Sequence, residues 1–133
     1  MSNLLKISEA TSLALHTIVF LAENYGKTVS NKEIATKFNI SEDHLSKVLQ
    51  RLNKFGFVKS IRGPKGGFQL RLSPDKISLL DIYQAIEGTF KSQNCLLENP
   101  ICYREKCILG SLLESVNKSF NEYMSKTKFS DLI

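Results

Sequence analysis

Apolar side chains crowd the beginning of the chain from several directions. Leu4, Leu5, Ile7, Ala10, Leu13, Ala14, Leu15, Ile18, Val19, Phe20, Leu21 and Ala22 predict a helix over 4–24, buried on several faces. It should end at Asn24-Tyr25-Gly26, where glycine can take the left-handed C-terminal position. A helix this apolar is either central to the fold or partly covered by a second subunit. Ser30-Asn31-Lys32-Glu33 then fits a capping box, with Ser30 as N-cap and Glu33 reaching back. The short helix that follows runs through Ile34, Ala35 and Phe38, and Asn39-Ile40 makes a turn. Ser41 caps a second helix over 42–55, whose apolar positions Leu45, Val48, Leu49, Leu52 and Phe55 keep a 3–4 spacing on one face. Its other face carries His44, Ser46, Lys47, Gln50, Arg51 and Lys54.

Gly56 stops that helix, and the period changes to two. Residues 57–61 and 68–72 alternate like strands around the glycine-rich turn Arg62-Gly63-Pro64-Lys65-Gly66-Gly67. Two short helices followed at once by a hairpin predict a winged helix-turn-helix. After the loop 73–76, Ser78 caps a helix through Leu79, Leu80, Ile82, Tyr83, Ala85 and Ile86 that stops at Gly88. Residues 89–106 show little periodicity. A last helix is expected from about Cys107 to Lys126, with Leu109, Leu113, Val116, Phe120 and Tyr123 forming a seam suited to a helix partner, in this chain or in a dimer. The expected fold class is mainly α with a small β-hairpin wing, ending in a long C-terminal dimerisation helix. The expected divisions are a DNA-binding domain over 1–77, a linking helix over 78–88, a cysteine loop over 89–107, and a dimerisation helix and tail over 107–133.

Charge sharpens this picture. The 133 residues carry a formal +5. From His44 to Arg71 there are seven basic residues and no acidic one, so the remainder is slightly acidic. A positive excess confined to the second helix and the hairpin is the footprint of a polyanion-binding surface. The residues suit DNA. Ser41, Glu42, Asp43, His44, Ser46, Lys47 and Arg51 offer short polar groups and cations on a helix able to enter the major groove. Arg62, Gly63 and Lys65 at the hairpin tip allow close backbone approach and an Arg in a narrow minor groove. A dimer neutralising about four phosphates per subunit should show a salt slope of roughly −7. The rival within the same fold is a winged helix used only for protein contacts.

No segment reaches the ~20 consecutive apolar residues of a membrane span. Met-Ser-Asn-Leu-Leu-Lys lacks the features of a secretory signal, so a cytoplasmic protein with no membrane partner is expected. An enzyme is poorly supported: there are two histidines, and neither Asp81 nor Glu87 has an evident catalytic partner in sequence.

Cys95, Cys102 and Cys107 are separated by six and then four residues. An odd number argues against a disulfide scaffold, and the spacing is not that of a zinc ribbon. Three readings stay open on spacing alone: an iron–sulfur cluster needing one further ligand, structural thiols, and a thiol redox switch.

Taken in order, these segments resemble the IscR/NsrR-type regulators, the Rrf group of small bacterial winged-helix transcription factors. The resemblance runs from about Leu5 to Ile133. It is carried by Ile40-Ser41 through Leu52, the hairpin from Val58 to Phe68, the helix Leu80 to Gly88, the three cysteines after it, and the closing Phe129-Ser130-Asp131-Leu132-Ile133. It implies a homodimer with crossed C-terminal helices that binds double-stranded operator DNA, and the expected role is that of a repressor. It also implies a 2Fe–2S or 4Fe–4S cluster held by Cys95, Cys102 and Cys107 that senses iron, redox state or nitric oxide. Glu42 through Lys47 and Arg62-Gly63 match the groove-reading segments.

The fourth ligand departs from the pattern. Some members place a histidine where this chain has Gly110, and others a carboxylate from the partner's first helix where it has Ser12. Glu9 and His16 lie one turn either side of Ser12 and stand as substitutes, although His16 is equally a common polar group at a helix interface. The rival regulator has no cluster and is switched by cysteine oxidation or a small metabolite.

Overall fold

Ser8, rather than the apolar run before it, sets where the first helix begins. In the computed structural model, which describes residues 7–89, 101 and 107–133, Ser8 is extended and its Oγ accepts the Thr11 N–H. Helix α1 therefore spans Glu9–Glu23, five residues shorter at its start than the apolar pattern suggests. Residues 4–6 lie outside the described residues. The chain leaves α1 through Gly26, at φ +86°. Leu13, Ala14, Ile18, Leu21 and Ala22 are buried, and α1 packs against four other parts of the fold, including the chain's last turn. It is the central helix, the first of the two explanations for its apolar character.

Helix α2 spans Asn31–Phe38 and α3 spans Glu42–Lys54. Ser30 caps α2 by accepting the Glu33 N–H, which is one half of the expected reciprocal pair. Asn39 turns the chain in the left-handed conformation at φ 54° and ψ 50°, and Ser41 caps α3 through the His44 N–H. Leu45, Val48, Leu49 and Leu52 are buried as their spacing required. Phe55 is not: as the C-cap residue of α3 it has left the helical face, and it is 52% exposed.

The hairpin pairs β1, Val58–Ile61, antiparallel to β2, Gly67–Leu70, with Val58 opposite Leu70. Both strands are shorter than the alternation implied, and Leu72 lies outside the ladder, on the surface. Val29 adds a third pairing that the sequence reading missed. Its N–H and C=O exchange hydrogen bonds with Phe68 at 3.0 and 2.8 Å. That approach requires Gly67, because a Cβ there would stand 2.3 Å from the Val29 carbonyl oxygen. The hairpin is thus stitched to the segment entering α2.

Helix α4, Leu79–Glu87, carries the full reciprocal cap: Asp81 N–H to Ser78 Oγ at 3.1 Å and Ser78 N–H to Asp81 Oδ2 at 2.9 Å. Helix α5 spans Leu112–Lys126 and starts later than expected. Gly110, left-handed at φ +59°, interrupts the run from Cys107. Along α5, Leu113, Val116 and Phe120 are half-buried, and Phe120 meets Tyr83 of α4 edge to face at 5.4 Å. The inward position after that is Met124 rather than Tyr123, which is 60% exposed.

Beyond α5 the chain pairs back onto the entry to α4. Leu79 N–H donates to Thr127 O and Phe129 N–H to Ile77 O, both at 3.0 Å. Phe129 is fully buried, and with Met124 it joins the same core as α1, α3, α4 and the hairpin. Among the described residues no helix is long and apolar enough to cross a membrane.

Candidate nucleic-acid interface and cysteine segment

The buried row of α3 leaves an opposite row by simple periodicity. Asp43, Lys47, Gln50 and Lys54 are all exposed and follow one another at four-, three- and four-residue steps. Two of them, Gln50 and Lys54, stand on the polar face read from sequence but were not among the expected DNA contacts, most of which lie in the first two turns. The spacing from Asp43 was the available signal, and Gln is well suited to the adenine edge. Ser41 and Glu42 are exposed at the helix entry and His44 is half-buried.

Two of the expected contacts are engaged within the protein, one on each flank of that row. On the α2 side, Asn31 Nδ2 donates to Ser46 Oγ at 2.5 Å and to the Glu42 carbonyl at 3.4 Å. On the α4 side, Arg51 Nη2 donates to the Ala85 carbonyl at 3.4 Å. Helix α3 is thereby braced by both neighbours. The wing tip carries Arg62, Gly63 and Lys65, all exposed, with Gly63 at φ +113°. Lys47, Lys54, Lys59, Arg62, Lys65 and Arg71 keep the positive excess on the surface of α3 and the hairpin.

Asp81 and Glu87, which lacked partners in sequence, have structural ones. Asp81 caps α4. Glu87 Oε1 accepts the Ser8 N–H at 3.2 Å and the Thr11 hydroxyl at 2.6 Å, fastening the start of α1 to the end of α4. The hydrogen bonds of Ser8 and then Thr11, with the nearby charge of Arg51, hold its carboxyl below the ordinary glutamate range. A carboxyl so lowered stabilises the fold above its unfolded pKa, and this contribution is lost as pH falls through the folded value. The Glu87→Gln variant should therefore lose about 1 kcal/mol at pH 7, a modest figure because the group is largely solvated. Its urea midpoint should approach that of the parent protein as pH falls below the ordinary glutamate range and through the lowered folded value. Equal midpoints at pH 7 would remove this role from Glu87.

Of the cysteines, Cys107 is an exposed free thiol at the foot of α5; Cys95 and Cys102 lie outside the described residues. Among the described residues no three His, Cys, Asp or Glu side chains form a metal-holding group. Glu9 and His16 are exposed on α1, and Ser12 is half-buried between them. His16 Nδ1 lies 2.7 Å from the Ser12 carbonyl. A carbonyl can only accept, so Nδ1 carries a proton, and in the neutral tautomer the ring's lone pair is on Nε2. The ring stands edge-on to Phe38 at 6.4 Å. The donors fit an iron–sulfur group in kind: thiolates, with an imidazole whose free nitrogen is already oriented.

A recognition helix braced on two sides, a cationic hairpin and a fold closed by its own last residues define a winged helix-turn-helix transcription regulator. The comparisons agree over nearly the whole chain. NsrR of Bacillus licheniformis, an HTH-type transcriptional regulator, is 32% identical over 124 residues, covering 90% of this chain and 84% of that protein. The solved structure of CymR, the global cysteine regulator of B. subtilis, superposes with a TM-score of 0.80 at 32% identity, covering 96% of this chain and 95% of that one. T. potens IscR gives 0.75 at 30%, covering 96% and 85%. Residues 7–133 match the Rrf2 family, described as iron-dependent transcriptional regulators, and the chain belongs to that family. Its relatives are regulators of transcription and not enzymes.

Proposed function

We propose that this protein is a cytoplasmic homodimeric repressor whose affinity for operator DNA is set by an iron–sulfur cluster, 2Fe–2S or 4Fe–4S, on Cys95, Cys102 and Cys107. The observation that carries the cluster reading is the exposed thiol of Cys107 at the foot of α5, in a chain that keeps three cysteines and matches an iron-dependent family throughout. When bound, the cluster supplies an iron centre that responds to oxygen, nitric oxide or iron supply. The fourth donor comes from Glu9, Ser12 or His16, and the geometry favours His16, whose Nε2 is free. The dimer reading rests on α5 and the turn before it, where Ile108, Leu112 and Tyr123 are 83%, 58% and 60% exposed, apolar surface suited to a second copy.

DNA contact is made by the outward row of α3, by Ser41, Glu42, Asp43, His44, Ser46, Lys47 and Arg51 as far as their internal bonds allow, and by Arg62, Gly63 and Lys65. The 89–107 segment adjoins the end of α4, and there the Ala85 carbonyl and Glu87 hold Arg51 of α3 and the start of α1. A displacement of α4 is thereby transmitted to the recognition helix.

Likeness to a global cysteine regulator favours one second reading, a cluster-free switch worked by cysteine oxidation or a small metabolite. Protein purified without oxygen separates the two. The cluster reading expects visible charge-transfer absorption, stoichiometric sulfide and different operator affinities for holo and apo protein. A colourless, iron-free protein after reconstitution selects the second reading, and equal affinities remove the cysteines from regulation.

A further inference from the structure

Ser46, like Arg51 further along α3, is a member of the expected DNA-contacting set whose side chain a neighbouring helix holds. Asn31, the first residue of α2, reaches across to α3 and spans one of its turns, with Nδ2 2.5 Å from Ser46 Oγ and 3.4 Å from the Glu42 carbonyl. The second contact fixes which way round the amide sits, because a flipped oxygen would face the carbonyl oxygen of Glu42. A serine within a helix ordinarily turns its proton back to the carbonyl four residues earlier. For Ser46 that carbonyl is Glu42, which already accepts from Asn31. The hydroxyl also accepts from Asn31, which polarises its O–H and strengthens it as a donor. Asn31 contributes through its NH2 half alone: its Oδ1 is buried without a hydrogen-bond partner, a cost that the donor half has to offset.

We propose that Asn31 is a positioning residue for DNA recognition, orienting Ser46 so that it offers a hydrogen-bond donor to the major groove. The inference rests on the reading that α3 contacts DNA. A hydroxyl directed in this way selects acceptors on the base edge, a purine N7, guanine O6 or thymine O4, over the amino groups of cytosine and adenine. The arrangement works through another side chain. Its effect therefore falls on base preference at one position of each half-site and leaves the phosphate contacts, which set salt dependence, almost unchanged.

The test uses the full-length protein and the duplex that it selects from a random pool, with each purine replaced in turn by its 7-deaza analogue. The parent protein should lose roughly 2- to 10-fold in affinity at one position per half-site. Ser46→Ala should abolish that loss. Asn31→Asp places a carboxylate where the NH2 stood, draws the Ser46 proton inward and leaves lone pairs facing the groove. It should abolish the loss too and move the selected base toward one bearing an amino group. An acidic residue in the first turn of α2 suits the helix dipole, so this variant should fold. A deaza penalty that Ser46→Ala removes but Asn31→Asp leaves intact would overturn the role of Asn31. Identical base profiles for the parent and Ser46→Ala would overturn it through Ser46. Failure to select any duplex would instead take down the DNA-binding reading itself.

Discussion

Shortening Phe129 to alanine is expected to cost about 3–5 kcal/mol, the range for truncating a buried aromatic side chain whose surroundings cannot close the gap. Phe129 is fully buried. Its backbone is held by the Phe129 N–H bond to Ile77 and, two residues earlier, by the Leu79 N–H bond to Thr127. These bonds keep the ring from withdrawing and the cavity from collapsing. The loss should appear as a large fall in the urea midpoint with little change in slope. Leu132→Ala, at a residue 43% exposed, should stay within about 0.5 kcal/mol of the parent protein. Equal midpoints for the two variants would mean that the tail does not belong to the cooperative unit.

The second large effect is electrostatic. Replacing Lys47, Arg62 and Lys65 together by alanine removes one cation from the outward row of α3 and two from the wing tip, all exposed. In a dimer this withdraws up to six charges from the phosphates, so the slope of log affinity against log salt should flatten by about 5. Affinity for operator at ~0.1 M salt should fall on the order of a thousandfold or more. Their exposure leaves the fold unaffected, which far-ultraviolet circular dichroism checks. A slope that stays near that of the parent protein would move the DNA surface away from α3 and the wing.

The helix-turn-helix was legible because its signals are local. Ser41, Asn39 and Gly56 each act within one turn of the backbone, and the apolar spacing of Leu45, Val48, Leu49 and Leu52 admits one buried face. Errors fell where a short-range rule competed with another. Leu4 and Leu5 continued the apolar pattern of α1, but the cap at Ser8 decided the start. Cys107 to Lys126 kept a helical spacing, but Gly110 in the left-handed conformation delayed α5. Phe55 kept the period of α3 and fell where the helix had already ended. For the site, the residue types at the α3 entry and the wing tip were readable. The bonds that commit Ser46 and Arg51 inside the protein were not, since they join residues 15 and 34 positions apart.

By itself the sequence determined the fold class, the order of elements, the concentration of positive charge on α3 and the hairpin, and the presence of three cysteines of one chemical kind. All of these depend on composition or on spacing within a few residues. Tertiary structure alone decided that Val29 extends the wing, that Phe129 closes the core, that Glu87 ties α1 to α4, and which side chains of α3 remain free to face a ligand. Those outcomes rest on single contacts between distant segments. Such a contact leaves no period in the sequence, because its partner is chosen by packing rather than by position along the chain.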